Sequence, residues 1–504
     1  FMEAFRQAGI TFILTANEAS AAIMADVTAR LTGIPGICHA TLGPGATNIS
    51  TGVGGALLDR SPVIVLTSET GEEMRGRTTQ MNIDHQKLFA PITRATFRLS
   101  GDNARSVIAS AFRLCREERP GPVHIGLPAG VENEEVTDTD SGTDSGRASE
   151  AAGCDTEGIT LLLRNSSRPV IVAGLTAARL NTGRLLEELL DATGLPLVLT
   201  PMASGLIPRS HPSHAGVLAH ALSDYTDELI SSCDLVIGFG YDPVEYDYEA
   251  WLPDVPLIHF DSAVMDLPVG RKILTFTGDP SEWAAMLQNL REAPLVPRLD
   301  DISFIREEMN AVFDGFTSHF GPVTAMKVLK EELPSDVIVT ADVGSHLHLL
   351  GQYWESGPGG RVIMTNGWSG MGFGLPAALA AALFNRQGTT VCISGDGGFL
   401  MMAGEIMTAR RYNLPVIVVV FSDGELNLIK IKQSWQELAP YGTVLYRGDL
   451  FGAGQFFGTR VLKADSEESM RKAVITALTL NEPVIINAMI DPDDYRWLIA
   501  KSRK

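Results

Sequence analysis

Asp396 and Asp423 are the side chains whose placement most clearly allows chemistry. Asp396 stands in Gly395-Asp396-Gly397-Gly398, directly after an apolar run, and Asp423 closes the apolar run at 415–422. A helix-like stretch, 399–412, separates the two runs, so the acids lie one strand–helix–strand circuit apart. In a parallel sheet the carboxyl ends of neighbouring strands open onto one crevice, where ligands bind. Two carboxylates there can share a hard cation such as magnesium. Gly397 and Gly398 let backbone amides approach a phosphate at the positive end of a helix. A Gly-Asp turn can equally be a plain helix cap, and the second acid one circuit away is what favours metal and phosphate.

The elements that must hold these acids follow from the apolar patterning. Residues 321–504 show buried-strand runs at 337–342, 390–397, 415–423 and 483–490. A second block, 159–293, has such runs at 169–174, 195–200, 234–240 and 256–261. The first block, 1–131, alternates expected strands (10–15, 36–41, 62–68, 123–127) with expected helices (19–31, 103–118). Continuous apolar strands alternating with helices predict an α/β fold, here three doubly wound parallel-sheet domains in series. Residues 132–158 are acidic, rich in Ser, Thr and Gly and nearly free of apolar side chains, which reads as a flexible linker. Residues 294–320 read as a second linker.

Composition narrows the function classes. The chain has 504 residues and a net charge of −20, which disfavours nucleic acid and anionic membrane as partners. No apolar run reaches membrane-span length and no signal peptide is visible. The 5 cysteines are scattered without zinc-like spacing, which fits a reducing cytoplasm.

The GDG turn followed by an acid at the next strand end resembles the signature of thiamine-diphosphate (ThDP) enzymes. Ser422-Asp423 stands where the usual pattern has a pair of Asn, and an Asp there also occurs in fermentative acetolactate synthases. The resemblance implies that Asp396 and Asp423 hold Mg²⁺ through side chains and Glu425 through its main-chain carbonyl. Residues 370–378 (GMGFGLPAA) resemble the stretch whose methionine, Met371 here, wedges between the two cofactor rings. Gly344, Ser345 and His346 sit in the turn that would hold the diphosphate with Gly397 and Gly398, and Ser345 replaces a usual Gln. Ser369 joins this cofactor set. In the first block, Glu18 followed by Gly43-Pro44-Gly45-Ala46-Thr47-Asn48 resembles the pyrimidine-binding domain. Its glutamate would protonate the pyrimidine ring, which then removes the thiazolium proton; burial suits a carboxyl to that work. Gly43 and Gln80 would line the substrate pocket. His85 could face the site or serve as a hydrogen-bonded structural histidine. Lys430 and Lys432 could attract an acidic substrate or form a solvated face.

The blocks then become the pyrimidine-binding, central and diphosphate-binding domains of an enzyme resembling acetolactate synthase. The expected reaction is decarboxylation of pyruvate or a related 2-oxo acid and ligation to a second carbonyl. Two other readings stay open: a ThDP lyase or carboligase with a different substrate, and a non-catalytic ThDP-binding protein. FAD is not expected, because Gly174-Leu175-Thr176 is a poor nucleotide turn and 241–246 (YDPVEY) resembles FAD-free fermentative synthases. The resemblance further implies a homodimer or homotetramer with sites at the subunit interface. It also implies a natural chain longer at its start, because Glu18 arrives early.

Overall fold

Val63, Ile64 and Val65 are all buried, yet they face two different cores: Val63 and Val65 pack with Ala22, Ile49 and Phe89, and Ile64 packs with Val107 and Ile125. That is the mark of a strand covered on both faces. The computed structural model describes residues 2–138, 155–316, 319–357, 359–452 and 454–499. Residues 139–154, most of the acidic segment expected as a linker, lie outside that description.

The first sheet contains β1 (Gly36–Ala40), β2 (Val63–Glu69), β3 (Ala95–Arg98) and β4 (Val123–Pro128), all parallel, in the order β1-β2-β4-β3. The second contains β5 (Pro169–Ala173), β6 (Leu197–Leu199), β7 (His214–Val217), β8 (Leu235–Phe239), β9 (Leu257–Asp261) and β10 (Ile273–Thr277). Its order is β10-β9-β8-β5-β6-β7. The third contains β11 (Ile338–Ala341), β12 (Arg361–Ile363), β13 (Thr390–Gly395), β14 (Val416–Ser422), β15 (Gln455–Phe456), β16 (Thr459–Ala464) and β17 (Val484–Met489). Its order is β12-β11-β13-β14-β17-β16-β15, parallel except for the β15–β16 pair. The strand order reverses between β11 and β13, and ligands bind at such switch points.

Three expectations from the sequence are corrected. Residues 10–15 form no strand: Leu14 donates its N–H to the Tyr412 hydroxyl and its carbonyl accepts from Arg411, so side chains of the last domain take the place of a ladder. The stretch 399–412 is not one helix but two, Asp396–Met402 and Glu405–Arg411. Residues 294–320 are not a plain linker. They carry the helix Leu299–Gly315, whose Ile302, Ile305, Met309 and Phe313 enter the core shared by the central and last sheets. The apolar spacing of that helix is three and four residues, which anchors it between two domains.

Candidate functional site

The last domain assembles its expected residues at the β11/β13 switch point. Register pairs Gly395 with Phe421, so Asp396 and Asp423 leave adjacent strand ends. Asp396 is 2% exposed. Its Oδ2 accepts from the Asp423 N–H (3.1 Å), the Gly424 N–H (2.7 Å) and the Tyr446 hydroxyl (2.8 Å). Burial, and then the charge of Asp396, push the Asp423 carboxyl up to about 7. Two acids this close cannot both ionise without a compensating cation. The Glu425 N–H donates to Asp423 Oδ1 at 3.0 Å, and its own carboxylate pairs with Lys430, so the Glu425 side chain is turned away from the acids' shared donors.

The neighbouring turn is built on Asp342, fully buried below the crevice. Its carboxylate accepts from the N–H groups of Val343 (2.7 Å), Gly372 (2.9 Å) and Gly374 (3.1 Å). A side chain at Gly398 would lie 2.5 Å from Asp342 Oδ1, so glycine is required there. Asp342 thereby ties the Gly344-Ser345-His346 turn to the Met371 loop and packs closely against Gly398. The Met371 methyl lies 3.1 Å from where a Gly397 Cβ would be, which places Met371 against the GDG turn. Ser369 is exposed, in the left-handed region (φ 51°), and donates to the Asn366 carbonyl at 2.7 Å.

In the first domain Glu18 opens the helix Glu18–Thr32, with Asn17 as its cap. Glu18 is half-buried and accepts from Asn48 Nδ2 at 3.1 Å, and its Oε1 lies 3.6 Å from a Cβ built on Gly45. Gly43 has φ 63° and sits under the Met81 carbonyl, where a Cβ would be 2.7 Å from the oxygen. Gln80 is exposed beside Met81. Among the described residues no hydrogen bond or ion pair joins Glu18, Gly43 or Gln80 to Asp396, Asp423 or Met371 of the same chain.

Comparison with known proteins interprets this arrangement. Residues 1–88 match the N-terminal TPP binding domain of thiamine pyrophosphate enzymes, residues 157–288 their central domain and residues 342–488 their C-terminal TPP binding domain. The chain belongs to the thiamine pyrophosphate enzymes. It is 28% identical to the acetolactate synthase of Bacillus subtilis, over 98% of this chain and 88% of that one. It is 27% identical to the probable acetolactate synthase large subunit of Methanocaldococcus jannaschii, over 98% and 87%. It is 25% identical to the catabolic acetolactate synthase of Raoultella terrigena, over 98% and 90%.

Whether these particular residues suit the family's cofactor can be judged from their unmet polar atoms. Ser345 Oγ, His346 Nε2 and Asn427 Oδ1 are buried without a hydrogen-bond partner. Buried polar atoms left alone are costly, and their gathering beside two glycines and two acids fits a diphosphate with its cation. His346 is driven down to about 4 by burial, against a hydrogen bond with the Asp342 backbone. An anion at its free nitrogen would raise it again.

Three contributors escaped the sequence reading: Asp342 as organiser, Tyr446 as a donor to Asp396, and Glu405. Glu405, fully buried, accepts from the N–H groups of Ala16 (3.0 Å) and Asn17 (2.9 Å), so the last domain fixes the start of the Glu18 helix. Only Asp342 carried a signal, as an acid ending an apolar run. Tyr446 lies in a loop and Glu405 follows a helix break, and neither belongs to a motif.

Proposed function

We propose that this enzyme decarboxylates pyruvate or a related 2-oxo acid and joins the resulting acyl unit to a second carbonyl, as an acetolactate synthase does. The observation that carries the reading is the Asp396–Asp423 pair beside the unmet Ser345, His346 and Asn427 atoms. ThDP, when bound, supplies the carbanion-stabilising centre that side chains lack. Asp396 and Asp423, with the Glu425 carbonyl, would hold Mg²⁺; Gly344, Ser345, His346, Gly397 and Gly398 would hold the diphosphate. Met371, with Ser369 at the rim, would set the ring conformation. Glu18 would exchange a proton with the pyrimidine ring, and Gly43 and Gln80 would face the substrate.

The last domain holds the start of the Glu18 helix through Glu405, but among the described residues no hydrogen bond joins Glu18 itself to Asp396 or Asp423 of the same chain; this supports a homodimer, or a homotetramer built of such dimers, with Glu18 of one copy completing the site of another. A FAD-free central domain is supported by Glu245. Its carboxylate accepts from Leu175 N–H (3.0 Å), Met202 N–H (2.9 Å) and Thr200 Oγ1 (2.6 Å), filling the strand ends where a nucleotide would lie. No helix among the described residues is long and apolar enough to cross a membrane. The four described cysteines, Cys38, Cys115, Cys233 and Cys392, are free and buried, in keeping with a reducing cytoplasm.

The test is incubation with pyruvate, ThDP and Mg²⁺ with products identified by NMR. Acetolactate is the expected product. Acetaldehyde alone would indicate a decarboxylase instead, and absence of ThDP binding by calorimetry would overturn the reading. Purified protein should be colourless; a yellow, flavin-containing preparation would overturn the FAD-free reading of the central domain.

A further inference from the structure

Beneath the Gly43 turn runs a line of polar side chains that the reaction does not use directly. Thr67 on β2, His85 on the helix His85–Phe89 and His124 on β4 are all essentially buried. The Gly43 N–H donates to His85 Nε2 at 3.3 Å. His85 Nδ1 meets Thr67 Oγ1 at 2.9 Å, and Thr67 Oγ1 meets His124 Nε2 at 2.8 Å. His124 Nδ1 meets Thr96 Oγ1 at 2.6 Å, and Thr96 donates to Gln86 Oε1 at 2.7 Å. Gln86 Nε2 donates to Glu69 Oε1 (2.7 Å) and to the Phe97 carbonyl (3.1 Å), and Arg98 holds the other oxygen of Glu69 at 2.8 Å.

The direction of every bond is fixed from both ends. A backbone N–H can only donate, so His85 Nε2 is bare and its proton is on Nδ1. Thr67 accepts that proton's bond and must turn its own hydrogen to His124 Nε2, which leaves the His124 proton on Nδ1, facing Thr96. From the far end, Glu69 and the Phe97 carbonyl are both acceptors, so the Gln86 amide nitrogen faces them and its oxygen faces Thr96. The two derivations meet without conflict, with both histidines neutral. Burial drives His124 down to about 3 and lowers His85, in agreement. Gly126 belongs to the same construction: a Cβ there would fall 1.9 Å from Glu69 Oε1 and 2.9 Å from Gln86 Nε2.

We propose that His85 is a positioning residue for the reaction, the near end of a one-directional hydrogen-bond chain that runs from the Gly43 N–H through Thr67, His124, Thr96 and Gln86 to Glu69. Because His85 also begins the helix directly after the segment carrying Gln80 and Met81, it locks that segment to the Gly43 turn. The proposal rests on the reading that places Gly43 and Gln80 at the substrate. The chain is a clamp and not a proton wire, because the Gln86 amide interrupts proton transfer. The ligand atoms of Glu69, His85 and His124 do lie within 4.8 Å of one another, as in a metal site. Here, however, both nitrogens of each histidine already have partners.

The experiment compares His85→Gln with His85→Asn in the full-length enzyme. Gln can place an acceptor near the position of Nε2 and keep the Gly43 bond, whereas Asn reaches only the Nδ1 position. The expected result is a kcat loss of about tenfold to a hundredfold in His85→Asn, largely recovered in His85→Gln, with ThDP affinity and Tm similar in the two. Equal losses in both variants, or wild-type kcat in His85→Asn, would overturn the proposal. ¹⁵N spectra of histidine-labelled wild-type protein give a readout independent of substrate: two neutral Nδ1–H tautomers are expected. A charged ring, an Nε2–H tautomer or stoichiometric zinc at these residues would overturn it. If wild-type protein binds no ThDP, the proposed function fails while the tautomers still decide the chain.

Discussion

The two halves of the site are finished to different degrees. In the last domain, Asp396 is buried and accepts from three donors of its own chain, and Asp342 beneath it ties its own turn to the Met371 loop through three N–H groups. In the first domain Glu18 is half-buried with Asn48 as its hydrogen-bond partner, and Gln80 is exposed. A half cross-braced by its own fold is complete when the chain folds. A half whose carboxylate and amide face outward is completed by what is placed against it, which under the proposed function is a second copy. The division also matches the chemistry: anchoring a dense anion needs rigid preorganised groups, while proton exchange needs one carboxyl brought into a dry interface.

Replacing one residue in each half should therefore produce different failures. Glu18→Gln keeps shape and removes the exchangeable proton, so kcat should fall by about 10²–10⁴-fold while ThDP and Mg²⁺ still bind, as read by calorimetry beside steady-state kinetics. A variant that lost cofactor affinity instead would show that Glu18 anchors. Asp396→Asn should do the reverse. It removes a buried charge from the pair proposed to hold Mg²⁺, and cofactor affinity should fall by about 10²–10³-fold. Activity should return toward wild type at high ThDP and Mg²⁺. If saturation restores nothing, the halves are not divided in this way.

The same division governs what could be read from the sequence. Asp396, Asp423, Met371 and Glu18 lie at strand or helix ends in runs whose periodicity is plain, so their placement followed from spacing and resemblance together. Strands β3, β7, β10, β12, β15 and β16 were not read. All but β16 lie at sheet edges, β3 and β10 are only half-buried, and their runs, with Arg460 and Lys463 in β16, lack the continuous apolar character of central strands. The helix Leu299–Gly315 is masked in the sequence by the prolines before it and the acids of its first turn, which resemble a linker. Tyr446 and Glu405 were illegible for a deeper reason. Each acts across the fold, on Asp396 and on the Ala16–Asn17 amides, and no local pattern records a partner 50 or 388 positions away.

Tyr446 offers a finer test, since it donates to Asp396, a proposed metal ligand, without belonging to the acidic pair. Tyr446→Phe removes one donor from Asp396 and leaves the ring, and should weaken Mg²⁺–ThDP binding by about 10–100-fold with kcat at saturation little changed. A fall in kcat at saturation would place Tyr446 at the reacting atoms instead.

The smallest effect concerns protons. Asp423 is raised from 3.8 to about 7, by burial first and the charge of Asp396 second. In the metal-free folded protein it therefore holds a proton through the window between those values, where the unfolded chain has already lost it. The unfolded state binds fewer protons there, so this group makes folding less favourable as pH rises toward 7. Mg²⁺ reverses the balance, because it favours the ionised pair and must displace the proton to bind. Metal affinity should thus be flat above about pH 7 and fall by up to about tenfold per unit below it. The rise in Tm on adding Mg²⁺ and ThDP should shrink in the same range. Calorimetry in buffers of different ionisation enthalpy would count the proton released on Mg²⁺ binding below pH 7. A flat affinity from pH 5 to 8 would show that the two acids ionise independently, and the crowding that distinguishes this half of the site from the Glu18 half would then lose its main support.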